Sequence, residues 1–185
     1  NHRFHGCSSI AKAGKIRVTI GRASDFYGPR VKDASTFGDR FFEAVWAGKP
    51  VDLFGNPDTK HTYTYVPDFA RALITLSRNE QAFGRAWHVP NAPAMTTREV
   101  VKLFETEMGQ PIKSRVVSKF MLSMVGLFVP IVREMKELAY EFEEPYVVDD
   151  SQFRAAFGET ATPLPEGVRA MVAWYQQHRN TLKQA

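Results

Sequence analysis

The stretch HTYTYVPDFARALITLSRN, residues 61–79, constrains the fold more than any other part of this sequence. Polar and aromatic residues alternate from His61 to Val66, the period-two pattern of a strand with one covered face. Pro67 and Asp68 then open a helix over FARALITLSRN, where proline fits because its missing N–H would have no partner in a first turn. A strand that passes straight into a helix is the unit of an α/β fold, and the rest of the chain repeats that alternation with short connections.

Upstream, Ile16–Ile20 reads as a strand feeding GRASDFYGPR, a loop that ends in a Tyr-Gly-Pro-Arg turn. STFGDRFFEAVWAGK places Phe37, Phe41, Val45 and Trp46 at helical spacing, with Gly48 as the stop. VDLF is a short strand before a GNPD turn, and AWHVP is another strand. Thr96 and Glu99 form a capping-box signature ahead of VVKLFETEMG, and IKSRVV is a further strand candidate. Two helices split at Pro130 are expected next, and EFEE reads as a solvated helix end. PYVVDDSQFRAAFG reads as a strand, a helix start at Asp150 or Ser151, and a stop at Gly158. The last helix follows Pro165 and carries Val168, Met171, Val172 and Tyr175 on one face. There are no internal repeats, and no linker divides the chain into two independent domains.

The 185 residues suffice for one domain with a real core. The longest apolar run, FMLSMVGLFVPIV, falls short of the ~18 residues of a membrane span and contains Ser123, Gly126 and Pro130, so no membrane association is expected. A single cysteine, Cys7, excludes an internal disulfide framework and, with no apolar leader near the start, fits a cytoplasmic protein. The net charge of +4 is scattered through the first part of the chain, not gathered into a stripe with interleaved aromatics. Nucleic acid is therefore not an expected partner.

Several chemistries are absent. No glycines are spaced as GxGxxG or GxxGxxG, the turn that lets backbone approach a pyrophosphate. None of Tyr27, Tyr63, Tyr65, Tyr140, Tyr146 and Tyr175 has a lysine four positions later to lower a phenol's pKa for acid/base work. The five histidines are scattered and no nucleophile elbow is present.

The series VTIGRASDFYGPR, FFEAVWAGKPVDLFGNPDTKHTYTYVPDFARAL and GRAWHVPNAPAMTTREVV, continued by YEFEEPYVVDDSQFRAAFGETATPLPEGVRAMVAW, resembles the C-terminal half of an NAD-dependent epimerase/dehydratase. That is the extended branch of the short-chain dehydrogenase/reductase family, and the resemblance covers roughly residues 11 to 175. It implies an α/β fold made of the last Rossmann strands and a small mixed α/β substrate-binding lobe, with the glycine-rich N-terminal half absent. Residues 11–185 would form this single α/β domain. Residues 1–10, NHRFHGCSSI, do not fit the family helix expected before AKAGKIRV; a truncated product, an altered reading frame or a fragment boundary would each account for them.

The resemblance implies roles residue by residue. Ser24 and Asp25 would lie at the nicotinamide of NAD or NADP, a choice set by a segment not in this sequence. Asp25 would also touch the substrate, and Phe26, Tyr27 and Gly28 would shape the wall between the two ligands. HTYTYVPD matches an Arg-Asp-Phe-Ile-Tyr-Val-x-Asp segment with His61 in place of an arginine that commonly engages a diphosphate, while Tyr65, Val66 and Asp68 keep the pattern. The departure at His61 argues against a sugar nucleotide and leaves the substrate class open. The expected activity is that of an NAD(P)-dependent oxidoreductase, this chain supplying the substrate-binding half, with His61 and Tyr65 in the pocket. The alternative is a catalytically inactive remnant or interaction module that self-associates or pairs with a Rossmann-bearing chain.

Read without the resemblance, Tyr27 packs its ring in a turn and Asp25 is a turn former. His61 is a packing or strand-surface histidine with no partner visible in the sequence. Asp68 stabilises a helix start, and His88 packs or hydrogen-bonds within the sheet.

Overall fold

In the computed structural model, residues 16–32, 35–117, 144–158 and 160–182 are described. The helices expected around Pro130, residues 1–10 and Cys7 lie outside them, as do residues 141–143 of EFEE; Glu144 is exposed.

Short strands pair two by two. β1 (Ile20–Arg22) runs parallel to β6 (Ala86–His88), and β2 (Asp25–Tyr27) runs parallel to β5 (Tyr63–Tyr65). β3 (Val51–Phe54) is parallel to β8 (Ser114–Val117), whereas β4 (Lys60–His61) is antiparallel to β7 (Met95–Thr96). The helices are α1 (Asp39–Trp46), α2 (Val66–Arg78), α3 (Thr97–Met108), α4 (Ser151–Phe157) and α5 (Leu164–Leu182). Parallel ladders with helical crossovers make this an α/β fold.

The local signals act where they stand in the sequence. The Glu99 N–H donates to Thr96 Oγ1 at 3.1 Å and the Thr96 N–H to Glu99 Oε2 at 2.8 Å, closing the capping box of α3. Pro67 sits in the first turn of α2, and Gly158 ends α4 with φ 71°.

Three expectations need correction. The first strand covers Ile20–Arg22 instead of starting at Ile16, because its partner β6 is only three residues long. Before it, the Gly84 N–H already donates to the Val18 carbonyl at 2.7 Å, and Ile16 is exposed. The 61–66 segment is not a strand with one covered face: His61, Thr62, Tyr63, Thr64 and Tyr65 are all buried, and the segment splits at Thr62 into β4 and β5. PYVVDD forms no strand; Tyr146 makes a single parallel bridge to His61, and the chain then runs irregularly into α4.

Two apolar cores result. The larger lies among α1, α3 and α5, where Phe37, Phe41, Phe42 and Phe104 cluster and Phe42 stacks on Tyr175 at 3.8 Å with 6° between planes. The smaller gathers Ala72, Leu76, Trp87, Val89 and Phe153 between α2, β6 and α4. Residues 23–27 run from one to the other: Ala23 packs against the smaller core and Tyr27 belongs to the larger.

Candidate functional site

The seam between the two cores carries the residues expected to form a site. β2 and β5 pair with Asp25 opposite Tyr63, Phe26 opposite Thr64 and Tyr27 opposite Tyr65. The turn between β1 and β2 is fastened to β5 by Ser24, whose N–H donates to Thr64 Oγ1 at 2.9 Å and whose hydroxyl donates to the Thr62 carbonyl at 2.5 Å. Thr64 passes its own proton to Asn91 Oδ1 at 2.7 Å, and the Asn91 N–H donates to the buried carboxylate of Asp150 at 2.7 Å. Arg154, one helical turn on, pairs with Asp150 at 2.7 Å. Thr62 Oγ1 accepts from the Val148 N–H at 3.0 Å, so the segment leading to α4 is stitched to the same strand.

These threonines explain how a polar strand can be buried on both sides. Each hydroxyl has a partner, which removes most of the cost of taking it out of water. Sequence reasoning passed over Thr62, Thr64 and Asn91, and read Asp150 only as a helix start. The signal that could have found them is threonine alternating with tyrosine in a segment otherwise aromatic enough to be core.

His61 does have a partner, contrary to expectation: its Nδ1 stands 3.7 Å from Asp25 Oδ2, across from the neighbouring ladder. The histidine side chain is 8% exposed and the aspartate 38%, so the carboxylate is the part of the pair that meets solvent. The His61 ring packs edge-on against Tyr63 at 5.6 Å and Tyr146 at 5.3 Å. Burial, partly offset by the hydrogen bond to Thr97 and reinforced by the Asp25 charge, pushes the Tyr63 phenol up to about 12. Burial also raises the Tyr65 phenol, with Asp68 adding to the shift and Arg71 opposing it.

Phe26 is half-buried and meets Phe69 edge-on at 5.1 Å, while its carbonyl accepts from the Ser35 hydroxyl at 2.6 Å. Tyr27 is a core residue, 1% exposed, so its ring backs the wall without reaching a ligand-facing surface. Its phenol, buried without a hydrogen-bond partner, is held far above its ordinary pKa by burial first and then by the charge of Asp68. Gly28 follows with φ 126°, and a Cβ there would meet the Tyr65 ring at 2.8 Å, so both backbone and packing require glycine. Tyr65 is buried and sits at the junction with α2.

Asp68 is structural, as the helix-start reading holds. It is buried in the first turn of α2, paired with Arg71, and accepts from the Thr162 N–H at 2.6 Å and hydroxyl at 2.8 Å. His88 Nδ1 lies 3.1 Å from the Asp149 carbonyl, so its bond goes to the segment before α4 and not into the sheet.

Residues 3–89 match the family described as the NAD dependent epimerase/dehydratase family. Among curated proteins, the chain is 26% identical over 166 residues to a dTDP-glucose 4,6-dehydratase of Streptomyces griseus, covering 89% of this chain and 44% of the relative. It is 23% identical over 173 residues to a probable UDP-glucuronate 4-epimerase of Rhizobium meliloti (strain 1021), covering 92% and 50%. Among solved structures, UDP-glucuronic acid 4-epimerase from Bacillus cereus, in complex with UDP-glucuronic acid and NAD, superposes with a TM-score of 0.73 at 18% identity, covering 94% of this chain and 49% of that one. The chain thus spans about half the length of the relatives it matches. The α/β fold with parallel strands is the fold of these epimerase and dehydratase structures.

Both donors of Ser24 are engaged within the protein, which leaves its hydroxyl lone pairs as acceptors suited to an amide N–H. The sequence contains no glycine-rich turn to receive a pyrophosphate. Among the described residues, no three His, Cys, Asp or Glu side chains gather as metal ligands, and no helix is long and apolar enough to cross a membrane.

Proposed function

We propose that this chain is the C-terminal, substrate-binding half of an NAD(P)-linked epimerase or dehydratase of the extended short-chain family, acting in the cytoplasm on a small-molecule substrate. The observation that carries this reading is the Ser24–Asp25 turn. It lies inside the family match at residues 3–89, at the carboxyl end of β1, and is anchored by two hydrogen bonds, one to Thr64 in β5 and one to Thr62 just before it. Ligands of open α/β sheets bind beyond the carboxyl ends of strands.

In this reading Ser24 and Asp25 line the nicotinamide side, and Asp25, Phe26 and His61 line the substrate side. Tyr27 and Tyr65 form the layer behind them. A bound nicotinamide would supply or take hydride. The chain's own residues orient the ligands and exclude water, and no Tyr-x-x-x-Lys pair is present to move the proton. The isolated chain is accordingly expected neither to bind NAD(P)H tightly nor to turn over substrate. Stoichiometric binding of NADH or NADPH at micromolar affinity in a calorimeter would overturn this division of labour.

A second reading, an interaction module, is favoured by one observation. Leu73 and Ile74 on α2 are 42% and 51% exposed, with Leu73 set against β1 at Gly21, so this part of α2 leaves apolar area open to water. Pairing with a Rossmann-bearing chain or self-association would cover it. Light scattering during size exclusion decides: a monomer with a cooperative melt counts against this reading.

A further inference from the structure

Strand β1 and helix α2 are both open at one edge of the β1–β6 ladder. In a parallel pair, alternate residues turn their backbone groups toward the partner strand. The Ile20 N–H donates to the Arg85 carbonyl at 3.1 Å, and the Arg22 carbonyl accepts from the Val89 N–H at 3.0 Å, so residues 20 and 22 face β6. The N–H and C=O of Gly21, between them, point to the opposite edge of β1. Among the described residues no strand pairs there.

The flank of α2 beside that edge is uncharged. Ala72 and Leu76, the fully buried face of α2, pack with Trp87 of β6 in the smaller core. Leu73, about 100° further round the helix than Ala72, rests instead on β1, where a Cβ at Gly21 would lie 2.9 Å from its Cδ2. In the same direction at 3.6 residues per turn, the next positions in the body of the helix are Ser77, Ala70 and Ile74, all exposed. Arg71 and Arg78 come only further round, so Leu73, Ser77, Ala70 and Ile74 form a sector of apolar and small side chains.

A partner at this edge must therefore bond the Gly21 backbone and set an uncharged surface against Leu73. A second copy of the chain does both at once. Turned about a dyad through Gly21 and perpendicular to the sheet, two β1 strands run antiparallel, and the two glycines form a hydrogen-bonded pair that exchanges both N–H···O=C bonds. Both α2 helices then lie on the same face of the joined sheet, so the Leu73 flank of one copy meets that of the other. The small side chains of Ala70 and Ser77 let the two helices approach. Arg22 stands opposite Ile20 of the second copy and not opposite another Arg22, so no like charges face each other directly.

We infer that this chain forms a two-fold dimer through the free edge of β1 and the adjoining flank of α2. This rests on the interaction-module reading and names a second copy as the partner.

The test combines light scattering during size exclusion, over a range of protein concentrations, with residue-resolved hydrogen exchange of the Gly21 amide. A dimer is expected, in which the Gly21 N–H exchanges at least about tenfold more slowly than in the dilute monomer. Ala70→Lys places a good helix former at an exposed position of α2. It is expected to leave the melting temperature of the dilute monomer unchanged and to weaken dimerisation at least about tenfold, because two ammonium groups then meet across the dyad. A dimer whose Gly21 amide exchanges at the monomer rate, or which Ala70→Lys does not weaken, overturns the inference while leaving self-association standing. A monomer at every concentration overturns the inference and, with a cooperative melt, counts against the interaction-module reading as well. A monomer whose Gly21 amide is already protected shows further that another part of the same chain covers the edge.

Discussion

The aromatic core between α1, α3 and α5 is closed to water and the polar seam between β2 and β5 only partly so, and different physics holds them. In the core, Phe104 meets Phe37, Phe41 and Phe42 at centroid distances of 5.2, 4.8 and 5.8 Å, and stabilisation comes from many small dispersion contacts and the area removed from water. In the seam, Ser24, Thr64, Asn91 and Asp150 form a chain of hydrogen bonds in which each member satisfies the next. The core degrades in proportion to the volume removed. The seam is fully satisfied or it is costly, because losing one member orphans its neighbours.

Substitutions can break that contrast or sharpen it. Phe104→Ala, which opens a cavity at a fully buried ring, is expected to cost about 3–5 kcal/mol in chemical denaturation. Thr64→Val keeps the shape of a fully buried side chain but leaves the Ser24 N–H and the Asn91 carboxamide oxygen without a partner. It is expected to cost about 1–3 kcal/mol, and the Ser24 amide should exchange with solvent markedly faster by hydrogen exchange. A loss near zero would show that the seam tolerates gaps as the core does not. Tyr27→Phe removes a phenol oxygen that is buried with no hydrogen-bond partner, so it is expected to leave stability within about 0.5 kcal/mol or to raise it. A clear loss there would mean that the hydroxyl contributes to the core in a way its surroundings do not show.

Much of the fold was legible because it rests on local chemistry. Pro67 at the start of α2, the Thr96–Glu99 box, and the glycines at 48 and 158 mark their boundaries in the sequence as in the structure. What escaped was set by partners distant in sequence. The length of β1 depends on β6, 66 residues away by the pairing of Ile20 with Ala86. PYVVDD has the composition of a strand, but its backbone bonds go to Lys60 and Thr62 around a single bridge. The same holds for the site. The Ser24–Phe26 turn could be picked out from its place after a strand, whereas the partner of His61 comes from a different ladder and leaves no trace in spacing.

Gly167, inside α5, ties two positions of the sequence into a fixed order of change. Glycine within a helix is about 1 kcal/mol less favourable than alanine, so drift toward alanine would ordinarily be welcome there. A Cβ at Gly167, however, would lie 2.5 Å from the Tyr27 phenol oxygen. Position 27 must therefore shrink before position 167 can grow, and a lineage that took the two steps in the reverse order would pass through a less stable intermediate. In a set of relatives the pair would read as a one-way street, with small residues at 167 wherever a tyrosine stands at 27.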